Sequence, residues 1–585
     1  MIFTQYYLDC LSHASYLIGD ETTGRAVVVD PQRDVSGYLR DAHAAGLTIE
    51  RVVETHVHAD FLSGHLELAA RTGAAISYGG AADVEFQIEP LADGSHLSLG
   101  EVDLEVRATP GHTPESISVV VREHADDETP YGVLTGDTLF IGDVGRPDLL
   151  AAAGASPEDL AGRLYRSLHT QLLTLPDATR VFPAHGAGSA CGKKLSTETQ
   201  STIGEQRRVN YALAPMSESE FVALVTEGQP LRPQYFAFDA QANRQTHPLL
   251  DEETPPVPLS LDEVITVQYD GGVVLDTREP MDFAAGHLQG AVNVGLQGRF
   301  AEYVGDVLGP SRSIVLVTDP GRELEAKVRL GRIGFDRVVG ALAEPLHAFL
   351  DCPEAVERSS RVTIEQLAER RGNTPELQLV DVRNPGETAG GVLPGAVTAP
   401  LPALVDALDR LDPERPTVAY CASGYRSAIA ASVLTASGFA DVSDLLGGFE
   451  AWRAAGLPLD DHPLDHAQGD AMPARNVPQV DPDAGQKLVE DGALLLDVRE
   501  PVEWAAGHAP AAVFVPMKEV QARQAELPKD RQIVTICRSG GRSATVTEAL
   551  NAWGFDSVNL AGGLQAWEAA RLPIVTDDGA PGTVA

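Results

Sequence analysis

The sequence predicts an α/β protein of four domains, one large and three smaller. Two observations carry this expectation. Through residues 1–245, short apolar runs (26–30, 51–55, 131–135) end in polar turns, the pattern of strands whose far ends carry active groups. Beyond them one phrase recurs: LDTREPMDFAAGH from Leu275, VDVRNPGETAGGV from Val380 and LDVREPVEWAAGH from Leu496. The copies begin 105 and 116 residues apart, too long for a solenoid unit and suited to whole α/β domains.

The repeat sets the boundaries. The expected domains are 1–245, 257–355, 361–460 and 478–577, with Pro- and acid-rich linkers at 246–258 and near 460–481. In each copy a hydrophobic strand and a tight loop follow about forty residues after the phrase. They read VTDPGRE (317–323), YCASGYRS (420–427) and ICRSGGRS (536–543). LGGFEAW and AGGLQAW close the last two copies, where the first has only VGALAE.

Composition narrows the function. The chain has 585 residues, is 43% hydrophobic and carries a net charge of −40. That charge excludes nucleic acid and anionic membrane as expected partners, because their phosphates would be repelled. No apolar run approaches the ~20 residues of a membrane span. The N-terminus MIFTQYYLDC lacks a basic stretch followed by an apolar one, so a cytoplasmic location is expected. The five cysteines (Cys10, Cys191, Cys352, Cys421, Cys537) form no CxxC pair, which points to free thiols.

In the first domain THVHAD supplies His56, His58 and Asp60, PGHTP supplies His112, TGDT supplies Asp137 and PAHG supplies His185. A strand end or a Gly-containing turn can bend the backbone to present each of these to one metal. Zinc accepts two imidazoles and a carboxylate as readily as iron does, so spacing leaves the metal open. In the repeats, Cys421 and Cys537 each open a short loop, with Arg426–Ser427 and Arg542–Ser543 following before a helical stretch. Such a loop aims backbone N–H groups and a helix N-terminus at one sulfur, which favours an anionic persulfide. The first repeat has Thr318 or Asp319 at that position, and neither can carry sulfane sulfur. The Asp-x-Arg pairs (Asp381/Arg383, Asp497/Arg499) are expected to be structural.

On these motifs residues 1–245 resemble the metallo-β-lactamase superfamily and, within it, the persulfide dioxygenases. The repeats resemble rhodanese sulfurtransferases. Rhodanese-shaped phosphatases have a catalytic loop one residue longer, so the short loops favour sulfur. The resemblance implies an αββα sandwich followed by three rhodanese-like α/β domains, the first of them inactive. It implies one Fe(2+) held by His56, His112 and Asp137, with His58, Asp60 and His185 around the ligands. The superfamily's HxHxDH motif has a second-metal His where this chain has Phe61. Arg146 of GRPD is expected either to hold a substrate carboxylate or to pair with Asp148, and Cys191 to be a packed thiol or a participant in sulfur handling. The implied reaction converts a low-molecular-weight thiol persulfide and O2 to sulfite and thiol. Cys421 and Cys537 transfer sulfur to form or use thiosulfate, in sulfide and persulfide detoxification. Family members are often dimers or tetramers, which leaves a homo-oligomer open. The competing classes are a Zn(2+) thioester hydrolase of the glyoxalase II type and a non-enzymatic sulfur relay.

Overall fold

The computed structural model describes residues 1–149, 156–193, 195–460, 478–499, 501–538, 540–576 and 582–583. Most of the expected linker at 460–481 lies outside the described residues, as does residue 577. The chain forms two compact units. One comprises 1–392 with 399–405 and 417–461, and the other 393–398 with 406–416 and 462–585.

In the first unit the N-terminal domain is built on two six-stranded sheets. One runs in sequence order from Ile2–Leu8 through His13–Gly19, Arg25–Val29, Thr48–Val53 and Ala75–Gly79 to Glu89–Leu91. The other runs from Ser201–Thr202 through Arg180–Pro183, Gly132–Gly136, Ile117–Arg122 and Asp103–Ala108 to His96–Ser98. Side chains alternate across a strand, so the continuous apolar run AVVV serves two cores. Val27 and Val29 pack with Val53, Leu104, Val119, Val121 and Phe182 between the sheets. Ala26 and Val28 pack outward with Val52, Tyr38 and Leu68, under the helices Ser36–Ala44 and His65–Thr72. On the opposite face Val120, Val133 and Val181 pack with Leu164 and Phe221, which lie on Pro157–Ser167 and Glu218–Thr226. The result is the expected αββα sandwich. The expected polar turns follow Arg25–Val29, Thr48–Val53, Gly132–Gly136 and Arg180–Pro183, and they carry Asp30, His56, Asp137 and His185.

The first repeat folds around parallel strands in the order Pro258–Leu259, Val338–Leu342, Ile314–Val317, Val273–Asp276, Val292–Asn293. A reciprocal cap between Ser260 and Glu263 starts its first helix, Leu261–Tyr269. In the second repeat Ser360–Val362, Val442–Leu445, Thr417–Tyr420 and Gln378–Asp381 lie side by side, all parallel. In the second unit the third repeat shows the order Gln479–Val480, Ser557–Leu560, Ile533–Ile536, Leu494–Asp497, Ala512–Phe514. Among the described residues no helix is long and apolar enough to cross a membrane.

Within the first unit the first repeat is fastened to the sandwich by a buried cation. Arg33, fully buried, bonds Glu67 Oε1 at 3.0 Å, Asp336 Oδ2 at 2.9 Å, and the carbonyls of Gly331 and Pro248 at 2.7 Å each. Asp34 pairs with Arg332, whose carbonyl accepts the Leu62 N–H at 2.8 Å. Removing one partner of a buried ion pair strands the other, at a cost of roughly 3–5 kcal/mol. Arg33→Ala is therefore expected to lower the urea midpoint of the intact protein and to open the 246–258 segment to protease. An unchanged midpoint would show that the pair contributes nothing.

Candidate metal centre and sulfur loops

Burial and hydrogen bonding decide which groups of the metal motif keep a free lone pair. His56, His112 and Asp137 converge, all buried, with ligand atoms within 4.8 Å of one another. His112 Nε2 lies 3.4 Å and His56 Nε2 3.8 Å from Asp137 Oδ2. The His112 Nδ1–H donates to the Arg146 carbonyl at 2.9 Å, which leaves Nε2 as the unprotonated nitrogen. Burial pushes the His112 imidazole below its usual range, against the upward pull of Asp137. Burial, with His58 and His112 nearby, pushes His56 well below it. Both rings are neutral, the state a metal ligand needs. Asp137 Oδ2 is buried with no hydrogen-bond partner, the mark of an oxygen reserved for something else. This donor set fits a single divalent metal.

The remaining motif residues are committed elsewhere. His185 Nδ1 bonds Asp137 Oδ1 at 2.7 Å, and its Nε2 forms an ion pair with Asp60 Oδ2 at 2.7 Å. Burial alone would lower its pKa, but the two carboxylates hold it well above the usual range. Both ring nitrogens of His185 thus face carboxylates, Asp137 on one side and Asp60 on the other. His58 sits between Asp30 Oδ1 (3.1 Å) and Glu54 Oε2 (3.4 Å), which overcome burial and raise it to about 10. Phe61, buried, packs its ring 4.4 Å from His58 and 4.0 Å from His13. An aromatic wall thus stands where the superfamily motif has its last His. Among the described residues Asp60, His185 and Cys191 also cluster, as do Asp30, Glu54 and His58. Burial, reinforced by Asp60 and Asp137, pushes the Cys191 thiol up, so it is a packed neutral thiol. Of the two expectations for Arg146, the structure forms the pair: its guanidinium bonds both Asp148 oxygens at 2.8 Å and the Ala190 carbonyl at 3.0 Å.

Several supports have no motif in the sequence. Asp30, at φ 49°, accepts the Thr55 N–H at 2.7 Å and fixes the turn that carries His56. Asn243 holds the same loop from below, donating to the carbonyls of His58 (2.9 Å) and Phe61 (2.7 Å) and accepting the Ser63 N–H (2.9 Å). His13, with neither ring nitrogen partnered, lines the wall beside Phe61. Gly145 has a plainer signal, for a Cβ there would stand 1.9 Å from the Asp137 carbonyl.

The sulfur loops follow one register. Cys421, Cys537 and Thr318 each directly follow the central strand of their repeat, so Thr318 rather than Asp319 replaces the Cys. Cys421 Sγ accepts the Gly424 N–H at 3.1 Å, and Cys537 Sγ accepts the Gly540 N–H at 3.2 Å and the Ser543 hydroxyl at 3.3 Å. The helices Tyr425–Ala436 and Gly541–Ala552 begin there. Ser427 Oγ, in contrast, is buried and unpartnered. Arg426 and Arg542 are clamped to carboxylates. Arg426 bonds Glu387 at 2.6 and 2.7 Å, and Arg542 bonds Glu503 at the same distances. The Asp-x-Arg pairs are structural, as expected: Arg383 bonds Asp381 and the Gly391 carbonyl, and Arg499 bonds Asp497 and the Gly507 carbonyl. The closing GG motifs strap the loops. Phe449 N–H bonds the Cys421 carbonyl and Leu564 N–H the Cys537 carbonyl, each at 2.7 Å. A Cβ on Gly448 (φ 56°) would lie 2.3 Å from the Cys421 carbonyl oxygen.

A fold and site of this kind define a metallo-β-lactamase-type protein with candidate metal-binding triads and two rhodanese-type cysteine loops. The metallo-beta-lactamase superfamily model matches residues 8–185. The rhodanese-like domain model matches 260–351, 363–455 and 481–570. Persulfide dioxygenase ETHE1, mitochondrial, of Bos taurus is 32% identical over 248 residues, spanning 41% of this chain and 85% of that relative. A probable metallo-hydrolase of Burkholderia pseudomallei is also 32% identical, over 36% of this chain and 81% of its own length. The crystal structure of a metallo-beta-lactamase from Staphylococcus aureus subsp. aureus COL superposes with a TM-score of 0.53 at 33% identity, covering 58% of this chain and 98% of that one. The chain belongs to the metallo-beta-lactamase superfamily, with persulfide dioxygenases among its homologues, and carries three fused rhodanese-like domains.

Two substitutions probe these sites separately. His112→Ala removes one of three donors and is expected to lose bound metal by elemental analysis while the far-ultraviolet spectrum stays unchanged. Full metal occupancy would disqualify His112 as a ligand. Gly448→Ala forces a Cβ into the Cys421 loop, and is expected to cost about 1–3 kcal/mol of stability and to abolish sulfur loading at Cys421. Normal loading of Cys421, read by intact-protein mass, would show that the strap does not shape the loop.

Proposed function

We propose that the protein is a non-haem iron persulfide dioxygenase coupled to rhodanese sulfur transfer in sulfide and persulfide detoxification. The observation that carries this reading is the buried donor set of His56, His112 and Asp137, beside an aromatic wall where Phe61 replaces the last His of the superfamily motif. Two-metal hydrolysis needs a second ion to place its nucleophile, and Phe61 removes the His that the superfamily motif offers that ion. Two imidazoles and one carboxylate suit ferrous iron with open positions. Bound there, iron would supply the electron transfer to O2 that zinc cannot.

The chain's own residues set the stage for the reaction. Asp137 spends one oxygen on His185 and keeps the other for the metal. The His185–Asp60 pair beside it holds a proton within the buried site. The wall of Phe61 and His13 keeps one side dry, which strengthens the local charges. Overall a persulfide anion, O2 and water give a thiol and hydrogen sulfite: RSS⁻ + O2 + H2O → RSH + HSO3⁻. In the sulfur loops, the N–H groups at Cys421 and Cys537 favour an anionic sulfur. Either cysteine would take sulfane sulfur from a thiol persulfide and pass it to sulfite, or run the exchange in reverse from thiosulfate. The first repeat, with Thr318, takes no part in that exchange.

The test is oxygen consumption by anaerobically purified, iron(II)-loaded protein given a low-molecular-weight persulfide, with sulfite and thiosulfate quantified. The expected result is uptake matched to those products. It should be lost in His112→Ala but kept in the Cys421→Ser/Cys537→Ser double variant, which should instead lose sulfur transfer from thiosulfate. No uptake, with zinc bound and thioesters cleaved, would replace this reading with the hydrolase.

A further inference from the structure

The two sulfur loops share an Arg–Glu clamp, but the charges around the clamp differ. Within the second unit, residues 406–416 fold together with the third repeat, although they are part of the second repeat's sequence. They set two carboxylates beside the Cys537 loop. Asp406 Oδ1 lies 3.0 Å from Arg538 Nη1, and Asp409 Oδ1 lies 3.4 Å from Arg542 Nε. Asp406 ends the short helix Leu404–Ala407 and Asp409 sits in the following 3₁₀ turn, Leu408–Arg410. A spacing of three residues puts both on one face of the chain. Their partners flank the sulfur, for Arg538 follows Cys537 directly and Arg542 stands on the first turn of the helix Gly541–Ala552.

Every nitrogen of the Arg542 guanidinium therefore faces a carboxylate. Nη1 and Nη2 bond Glu503 at 2.6 and 2.7 Å, and Nε faces Asp409. Burial alone would lower the Arg542 pKa, but Glu503 and Asp409 hold it above its usual value. In these contacts three carboxylates meet two guanidiniums. Cys421, in the first unit, has the opposite balance. The residue after it is Ala422, which carries no charge. The cavity against it is lined by Lys193, Arg299 and Arg426, facing Glu302, Glu387 and Asp306. Burial, with Glu302 nearby, pushes the Asp306 carboxyl well above the usual range, so three cations there meet two charged carboxylates.

We infer that Asp406 and Asp409 are specificity-determining residues of the third repeat, which bias Cys537 against small sulfur anions such as thiosulfate and toward persulfides of uncharged or amine-bearing thiols. This rests on the sulfur-transfer reading and gives the two cysteines different donors. The chemistry at the sulfur is the same for both donor classes. The Cys537 thiolate attacks the outer sulfur of the donor and a new S–S bond forms. The donor's own S–S bond breaks, and its electron pair leaves with sulfite or with the donor thiolate. What differs is the approach. A doubly charged donor meets loop cations already committed to carboxylates, and the repulsion from those carboxylates acts within a Debye length, about 10 Å at 0.1 M salt. Discrimination by a built-in repulsion needs no added contact to the favoured donor.

The test loads the full chain from thiosulfate or from cysteamine persulfide, and follows Cys421 and Cys537 separately by peptide mass. Thiosulfate should load Cys421 several-fold faster than Cys537, and cysteamine persulfide should remove that preference. Asp406→Asn/Asp409→Asn should raise thiosulfate loading of Cys537 several-fold at low ionic strength and leave Cys421 as it was. Added salt should speed the wild-type reaction at Cys537 and not that of the double variant. An unchanged Cys537 rate in the variant would overturn the inference. A second readout needs no sulfur transfer. Iodoacetate is an anion and iodoacetamide its neutral counterpart, and both alkylate thiols. The ratio of iodoacetamide to iodoacetate rates at Cys537 should fall several-fold in the double variant. It should fall by a smaller factor in Asp406→Asn alone, a mild change at a half-exposed side chain. If neither cysteine loads from either donor while this ratio falls, the sulfur-transfer reading is overturned and the charge filter stands. An unmoved ratio overturns the filter and leaves sulfur transfer standing.

Discussion

One carboxylate, Asp137, divides its two oxygens, and the chemistry of the first domain depends on that division. Oδ1 is bound to His185 and Oδ2 is left bare between the two imidazole Nε2 atoms. A buried bare oxygen is costly, and the sandwich supports it through a chain of fixed partners. His185 is backed by Asp60, and the Asp60 carbonyl accepts the Tyr235 hydroxyl at 3.2 Å. The Asp137 carbonyl is approached so closely by Gly145 that no side chain fits there. His185 lies between the carboxylates of Asp137 and Asp60, and Phe61 stands where the superfamily motif has its last His.

The sulfur loops show the same economy in smaller form. A glycine in the left-handed region turns one N–H onto the sulfur (Gly424, Gly540), and a glycine of the closing motif lets the next turn bond the cysteine carbonyl (Gly448, Gly563). The clamped Arg–Glu pairs, at identical spacing in both repeats, fix the first turn of the helix behind the loop. They keep the guanidinium charge near the sulfur without spending a hydrogen bond on it. The loops still differ in their second donor: Ser543 bonds Cys537, whereas Ser427 bonds nothing. That leaves the Cys421 sulfur with the less satisfied surroundings of the two.

Much of this was legible in the sequence, and the reasons are local. The repeated Asp-x-Arg phrase and the strand–Cys–loop spacing encode contacts between near neighbours, so they read directly as three α/β copies. The αββα form and the His56, His112, Asp137 set came from motif likeness, since strand alternation alone does not order two sheets. What escaped was long range. Asn243 acts on the loop at 58–63 across 185 residues of chain. His13 reaches Phe61 from the second strand. Arg33 finds Asp336 some three hundred residues away. None of these carries a local pattern, because an Asn cap, a lone His and a lone Arg are each common in structures without such roles. For Arg146 the sequence offered two readings, and the short reach to Asp148 in the same turn favours the pair.

The fate of the Cys-less repeat follows from these contacts. Its packing faces two ways. Arg332 and Asp336 seat it beside the loop that follows the metal motif, while Gly295 and Asn293 seat the helix behind Cys421. Both sets belong to one folded repeat, so the metal-bearing domain and the Cys421 loop are joined through packed structure as well as through the chain. A flexible linker of similar length would let the two sites sample many separations and dilute any shared intermediate. Thr318 follows the strand Ile314–Val317 at the position that Cys421 and Cys537 hold in the other repeats.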